Sequence, residues 1–155
     1  MLMTRRALGR RVMNLIGGST LLTLEAETAS QELHAIAPSA QGDAGPFMRR
    51  AEEMRRLALE RGDQPYGAVI VQGGRIVGQG VSAVVTGRDP TAHAEMEAIR
   101  DACRRLGTND LSGCEIYSTS RPCRMCETAC YWARIARMIF GANLSDGGPP
   151  RYGGC

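Results

Sequence analysis

From Phe47 to Gly141 the apolar positions follow first a helical period and then alternate between strand-like and helical runs. Phe47, Ala51, Met54, Leu57 and Ala58 recur at three- and four-residue steps with arginines and glutamates between them, which predicts an amphipathic helix ending by Gly62. Tyr66 to Gln72 is nearly continuous in β-branched and apolar residues, Gly73-Gly74 interrupts it, and Arg75 to Val81 resumes it, so a hairpin is expected. Asp89-Pro90 joins an N-cap side chain to a proline at the first helical position and predicts a helix to about Arg105, stopped by Gly107. Glu115 to Ser118 reads as a short strand, Pro122 to about Trp132 as a helix, and Arg137 to Gly141 as a further strand. Gly147 to Cys155, rich in glycine and proline, is expected to be an irregular tail. Strands alternating with helices imply parallel pairing and a three-layer α/β domain.

Ahead of this pattern, residues 25 to 46 have no sustained period and read as a linker. Thr4-Arg5-Arg6-Ala7-Leu8, two more arginines at 10 and 11, and the moderately apolar run Val12 to Leu24 resemble a twin-arginine export signal, which would make the protein periplasmic. A cytoplasmic protein with an amphipathic N-terminal helix is the plainer alternative. Gly17, Gly18, Ser19 and Thr20 interrupt the run, which falls short of the roughly 20 apolar residues a stable membrane span needs, so no span is expected. The expected organisation is therefore a signal and linker over 1–45 and one globular domain over 46–155.

Composition changes this picture little. The 43% hydrophobic content suffices for one core in a 155-residue chain. All 19 basic residues are arginine against 16 acids, and four of those arginines sit in the first eleven residues. The domain itself is close to neutral, which argues against a nucleic-acid partner, since such proteins concentrate positive charge on one surface.

The candidate chemistry lies in two short stretches, His93-Ala94-Glu95 and Pro122-Cys123-Arg124-Met125-Cys126. One imidazole and two thiolates suit a zinc ion that keeps its fourth tetrahedral position for water, whereas a structural zinc site is normally closed by a fourth protein ligand. Both stretches fall at predicted helix starts, where exposed N–H groups and the positive dipole end favour thiolates. Glu95, two residues after His93, cannot point the same way on a helix and is left as a proton carrier. Cys-x-x-Cys alone would also fit a redox pair or half a structural zinc site.

In this order and with these neighbours, the motifs resemble those of the zinc-dependent cytidine deaminase superfamily, over roughly residues 47 to 146. Pro65-Tyr66-Gly67-Ala68-Val69, the run DPTAHAE over 89–95 and Tyr131-Trp132-Ala133-Arg134 look most like the bacterial guanine deaminases. The resemblance implies a three-layer α-β-α sandwich with a central mixed sheet of about five strands, one Zn²⁺ held by His93, Cys123 and Cys126, and Glu95 as the proton shuttle. It further implies a homodimer and a small-molecule heterocyclic substrate: guanine or a related amino-heterocycle losing ammonia. Deamination of a tRNA adenosine, a nucleoside or a nucleotide shares the motifs, and a zinc-stabilised binding module without turnover would share the fold. Two positions depart from the family: Arg121 stands where Glu usually precedes the Pro-Cys motif, and Ala83 where base-binding members commonly carry Asn.

On the substrate side, Tyr66 and Trp132 could stack on a base, although core packing explains either as well. Ala94 lies inside the ligand motif, and Asp146 matches, after one gap, an acidic residue that guanine deaminases use on their substrate. Arg121 and Arg124 could meet an anion or simply be solvated. Cys103, Cys114, Cys130 and Cys155 read as small buried fillers, or as disulfide partners in an exported protein, rather than as extra ligands.

Overall fold

The structure, a computed structural model, describes residues 45–152. The expected export signal and linker, apart from Gly45, lie outside the described residues, and so does Cys155. Helix α1 (Gly45–Glu60) buries Phe47, Met48, Ala51, Met54 and Ala58, while Leu57 is only partly covered. Strands β1 (Gly67–Gln72) and β2 (Arg75–Val81) form the expected hairpin, in antiparallel register from Gly67 opposite Val81 to Gln72 opposite Arg75. Gly73 and Gly74 turn it with φ of 56° and 76°, a left-handed pair that other residues adopt only with strain.

Helix α2 (Ala94–Leu106), strand β3 (Cys114–Ser118), helix α3 (Arg124–Trp132) and strands β4 (Arg137–Phe140) and β5 (Ser145–Gly148) follow. The sheet order is β2-β1-β3-β4-β5. The pairing differs from the expectation of parallel strands: only β3 and β4 pair parallel, while β1 is antiparallel to both β2 and β3, and β5 is antiparallel to β4. The reason is the tight hairpin. It sets β1 antiparallel to β2, and the α2 crossover lays β3 parallel to β2 on the far side of β1, so β3 runs antiparallel to the strand it pairs with. β5 has no apolar residue in Ser-Asp-Gly-Gly, so periodicity could not reveal it in what reads as an irregular tail.

Ala68 and Ile70 of β1 pack with Ala98, Ala102 and Cys130 of α2 and α3 on one face of the sheet. Val69 and Val71 pack with Phe47, Met48 and Ala51 of α1 on the other. Both faces of the mixed sheet are covered, which makes the domain an α-β-α sandwich. Two glycines of β2 let α2 lie close: a Cβ on Gly80 would collide with the Ala94 carbonyl and Ala98 nitrogen, and one on Gly78 would come within 2.6 Å of the Ala98 carbonyl.

The helix starts also shift. Asp89 closes its own turn, its Oδ1 accepting from Thr91 N and Oγ1 at 2.8 and 2.7 Å, and α2 begins only at Ala94. Ala92 is tied back to the preceding loop through the bond from Ala83 N to its carbonyl, which leaves His93 extended as the N-cap. α3 likewise begins at Arg124, with Cys123 extended before it. Among the described residues no helix is long and apolar enough to cross a membrane.

Candidate functional site

Each of the two N-cap positions carries a donor side chain, and neither side chain caps its own helix. With neither side chain engaged in capping, His93 and Cys123 are free to turn towards each other. Cys126, in the first turn of α3, completes the group. His93 Nδ1 lies 3.7 Å from Cys123 Sγ and 3.6 Å from Cys126 Sγ, and the two sulfurs are 3.7 Å apart. A tetrahedral zinc with bonds of ~2.3 Å to sulfur and ~2.05 Å to nitrogen requires sulfur–sulfur edges of about 3.8 Å and nitrogen–sulfur edges of about 3.6 Å. The three donors match those edges, so the residues present fit a zinc ion.

Electrostatics point the same way. Cys126 is fully buried, and burial pushes its thiol far up, with the Glu95 and Cys123 charges adding to the shift. Two thiolates and a carboxylate cannot share this space without a cation, and a divalent ion reverses the balance.

Glu95 is the second residue of α2 and is only 4% exposed. Its Oε2 lies 3.6 Å from Cys126 Sγ, and its Oε1 accepts a 2.9 Å bond from Ser118 Oγ. One carboxylate edge thus faces the donor group while the other is fixed by the last residue of β3. Ser118 was not singled out by sequence, although there was a signal: Cys114, Ile116 and Ser118 share the α2–α3 face of β3, and Ser118 is the polar residue in that apolar row.

A second buried carboxylate supports the wall behind His93. Asp63, 7% exposed, accepts from Ser82 Oγ, Val84 N, Val85 N, Thr86 N and Thr86 Oγ1 as well as from Gln64 N, all between 2.8 and 3.1 Å. Burial alone would raise its pKa, but the bonds from Thr86, Gln64 and Ser82 outweigh this and hold the carboxyl well below the usual range. Asp63 thereby fixes the loop that contains Ala83 and leads to His93. Its partners lie about twenty residues on in sequence, and no local pattern announces them.

The structure thus brings together His93, Cys123, Cys126 and Glu95, with Ala94 fully buried between His93 and Glu95. Tyr66 stands, half exposed, at the end of β1 that meets Thr119, the edge of the sheet that also carries Ser118. Trp132 is not core: it is 66% exposed and meets Tyr131 and Tyr152 edge-on, with ring centroids 5.6 Å apart in each case. Asp146 pairs with Ile139 on the α1 side of the sheet, where it ion-pairs with Arg137; that bond, with one from Gly148 N, holds its pKa down to about 2. Ser118 and Glu95 lie on the other face. Cys103, Cys114 and Cys130 are free thiols, and burial, with the Glu95 and Glu127 charges adding, pushes Cys130 up to about 12, as expected of inert fillers.

A mixed five-strand α-β-α sandwich with three zinc donors at two helix starts and a buried glutamate beside them defines a zinc-site domain of the deaminase type. Residues 43–142 match the cytidine and deoxycytidylate deaminase zinc-binding region, and the chain belongs to that family. It is 47% identical over 96 residues to a tRNA-specific adenosine deaminase of Aquifex aeolicus, covering 62% of this chain and 64% of the relative. It is 43% identical over 101 residues to a guanine deaminase of Bacillus subtilis, covering 64% and 65%. The crystal structure of Bacillus subtilis guanine deaminase superposes with a TM-score of 0.61 at 42% identity, over 64% of each chain. The chain therefore spans a little under two thirds of the length of these relatives.

Proposed function

We propose that the protein is a zinc-dependent hydrolase that deaminates an amino-purine, such as guanine, or a related amino-heterocycle, releasing ammonia. The observation that carries this reading is the pairing of an open three-donor zinc site with a carboxylate that is not a donor: Glu95 is buried, fixed by Ser118 and turned towards Cys126. When bound, zinc supplies a water acidic enough to attack at neutral pH. Glu95 takes one proton of the attacking water and passes it to the ring nitrogen beside the amino-bearing carbon; it then takes the second proton from the newly added hydroxyl and gives it to the amine, which leaves as ammonia while the carbonyl forms. Ser118 keeps the carboxylate aimed through this exchange, and His93, Cys123 and Cys126 would hold the zinc. Burial excludes bulk water from the Glu95 side, so the protons stay with the substrate.

Relatives of similar identity are named as guanine deaminase and as tRNA-specific adenosine deaminase, and either chemistry uses this carboxylate in the same way. A small-molecule substrate, rather than a tRNA, is favoured by the near-neutral domain, in which eight arginines are already held in ion pairs. We propose a homodimer, as the resemblance implies, with molar mass by light scattering as its measurement. An ammonia-release screen of zinc-loaded protein against guanine, other aminopurines, pyrimidines, triazines and a tRNA anticodon stem-loop tests the function. Release from a free heterocycle supports it; release from the stem-loop alone replaces it with the RNA reading, and binding without release points to a module that has lost turnover.

A further inference from the structure

The donor residue Cys123 borders a cleft of ≈ 560 Å³ whose charged lining is Arg121, Arg124, Arg151 and Glu127. That volume is in the range of small-molecule sites, roughly 300–1,000 Å³. The cleft is assembled from three parts of the chain. Arg121 and Arg124 flank the Pro-Cys motif. Arg151 is brought in by the segment after β5, which folds back over α3: its backbone N–H donates to Glu127 Oε1 at 3.2 Å, and the next residue, Tyr152, packs on Tyr131 and Trp132. The Arg121 guanidinium lies 5.7 Å from the Phe140 ring centroid, a contact that holds its position without consuming its charge.

The arginines of this cleft differ from most others in the domain. The guanidinium groups of Arg121, Arg124 and Arg151 have no carboxylate partner among the described residues, whereas eight other arginines do. Three guanidinium groups against the single carboxylate of Glu127 leave two uncompensated positive charges beside the zinc donors. A neutral heterocycle has no use for such a wall. A carboxylate would neutralise half of it, and a phosphate monoester, carrying a charge of about −1.5 to −2 at neutral pH, would match it. Guanidinium forks also suit the oxygen geometry of phosphate.

We infer that the cleft formed by Arg121, Arg124 and Arg151 beside Cys123 binds the phosphate of the substrate, so that the amino-heterocycle enters as a mononucleotide rather than as a free base. This rests on the proposed deaminase reading for what the phosphate is attached to, but not for the phosphate contact itself. A strand phosphate would offer the same oxygens; the confinement of these three arginines to one compact cleft in an otherwise near-neutral domain favours a mononucleotide.

The test is calorimetric binding to the zinc-loaded full chain at low salt, using inorganic phosphate, inosine, inosine 5′-monophosphate and a short single-stranded RNA. The inosine pair lacks an amino group and cannot be turned over by deamination. Inosine 5′-monophosphate should bind at least about tenfold tighter than inosine, and Arg124→Gln or Arg151→Gln should shrink that ratio towards one while weakening inorganic phosphate by a similar factor. Arg75→Gln, in the distant β1–β2 hairpin, should keep the wild-type ratio. Equal affinity for inosine and its monophosphate, or phosphate binding indifferent to both cleft variants, overturns the inference. Phosphate binding that follows the cleft variants, with no affinity for either inosine ligand, upholds the contact and sinks the purine reading instead. RNA binding tighter than the mononucleotide with the same arginine dependence overturns the mononucleotide assignment.

Discussion

Ser118 Oγ donates to Glu95 Oε1 at 2.9 Å, joining the last residue of β3 to the second residue of α2 across the buried side of the sheet. The bond fixes the angle of the carboxylate from behind while leaving its other oxygen free for the site. Ser118→Ala should retain zinc and fold but lose roughly tenfold or more in kcat, the expected worth of one hydrogen bond to a charged group. Zinc content by elemental analysis and steady-state ammonia release separate the two effects; unchanged kcat would show that Glu95 needs no support.

Removing a donor should empty the site. Cys126→Ala should bring zinc from one per chain to background, and so should Cys123→Ala, even though Cys123 is exposed and Cys126 buried. Zinc at about 100 times its Kd should raise Tm of the wild type by roughly 10 °C and leave Cys126→Ala unmoved. A thermal melt with and without zinc checks this. Full zinc content in both variants would reject the three-donor site.

Asp63 should make the protein acid-sensitive in a defined window. Its folded pKa lies below the unfolded value of about 3.9, so its contribution is complete above that value and is lost as pH falls below it towards the folded pKa. Asp63→Asn removes an acceptor from a buried cluster of donors and should cost roughly 1–3 kcal/mol at pH 7. In urea melts, the gap between wild type and variant should be constant from pH 8 to pH 5 and narrow below about pH 4. A gap independent of pH would mean that folding does not lower the Asp63 pKa.

Gly80→Ala tests how α2 reaches the sheet. The added methyl meets the backbone of the first turn of α2 rather than a movable side chain, so α2 must shift and carry His93 and Glu95 with it. We expect a loss of about 3 kcal/mol or failure to fold, against little effect from Arg75→Ala in the same strand. Chemical denaturation of both variants is the measurement, and a Gly80→Ala protein of wild-type stability would contradict this packing.

The sequence carried the donor set because its identity is local: His93 and Glu95 two apart, Cys123 and Cys126 three apart. It also carried the amphipathic α1, the hairpin and the sandwich. What it could not carry was long-range. The antiparallel pairing of β1 with β3 depends on the α2 crossover passing over β1, β5 is a strand by hydrogen bonding without any apolar pattern, and Asp63 and Arg151 reach their partners only after folding. The helix starts were misread for a local reason, since Asp89-Pro90 satisfies a turn of its own and leaves the N-cap position to His93.

The central claim is that Glu95 moves protons and does not hold the metal. The direct measurement is paired: zinc per chain and single-turnover ammonia release for Glu95→Gln beside wild type, on the best heterocycle from the screen. The account requires one zinc per chain in both proteins and a rate lower by roughly 10²–10⁴-fold in the variant. A variant that releases ammonia at the wild-type rate, or one that loses its zinc, would contradict it.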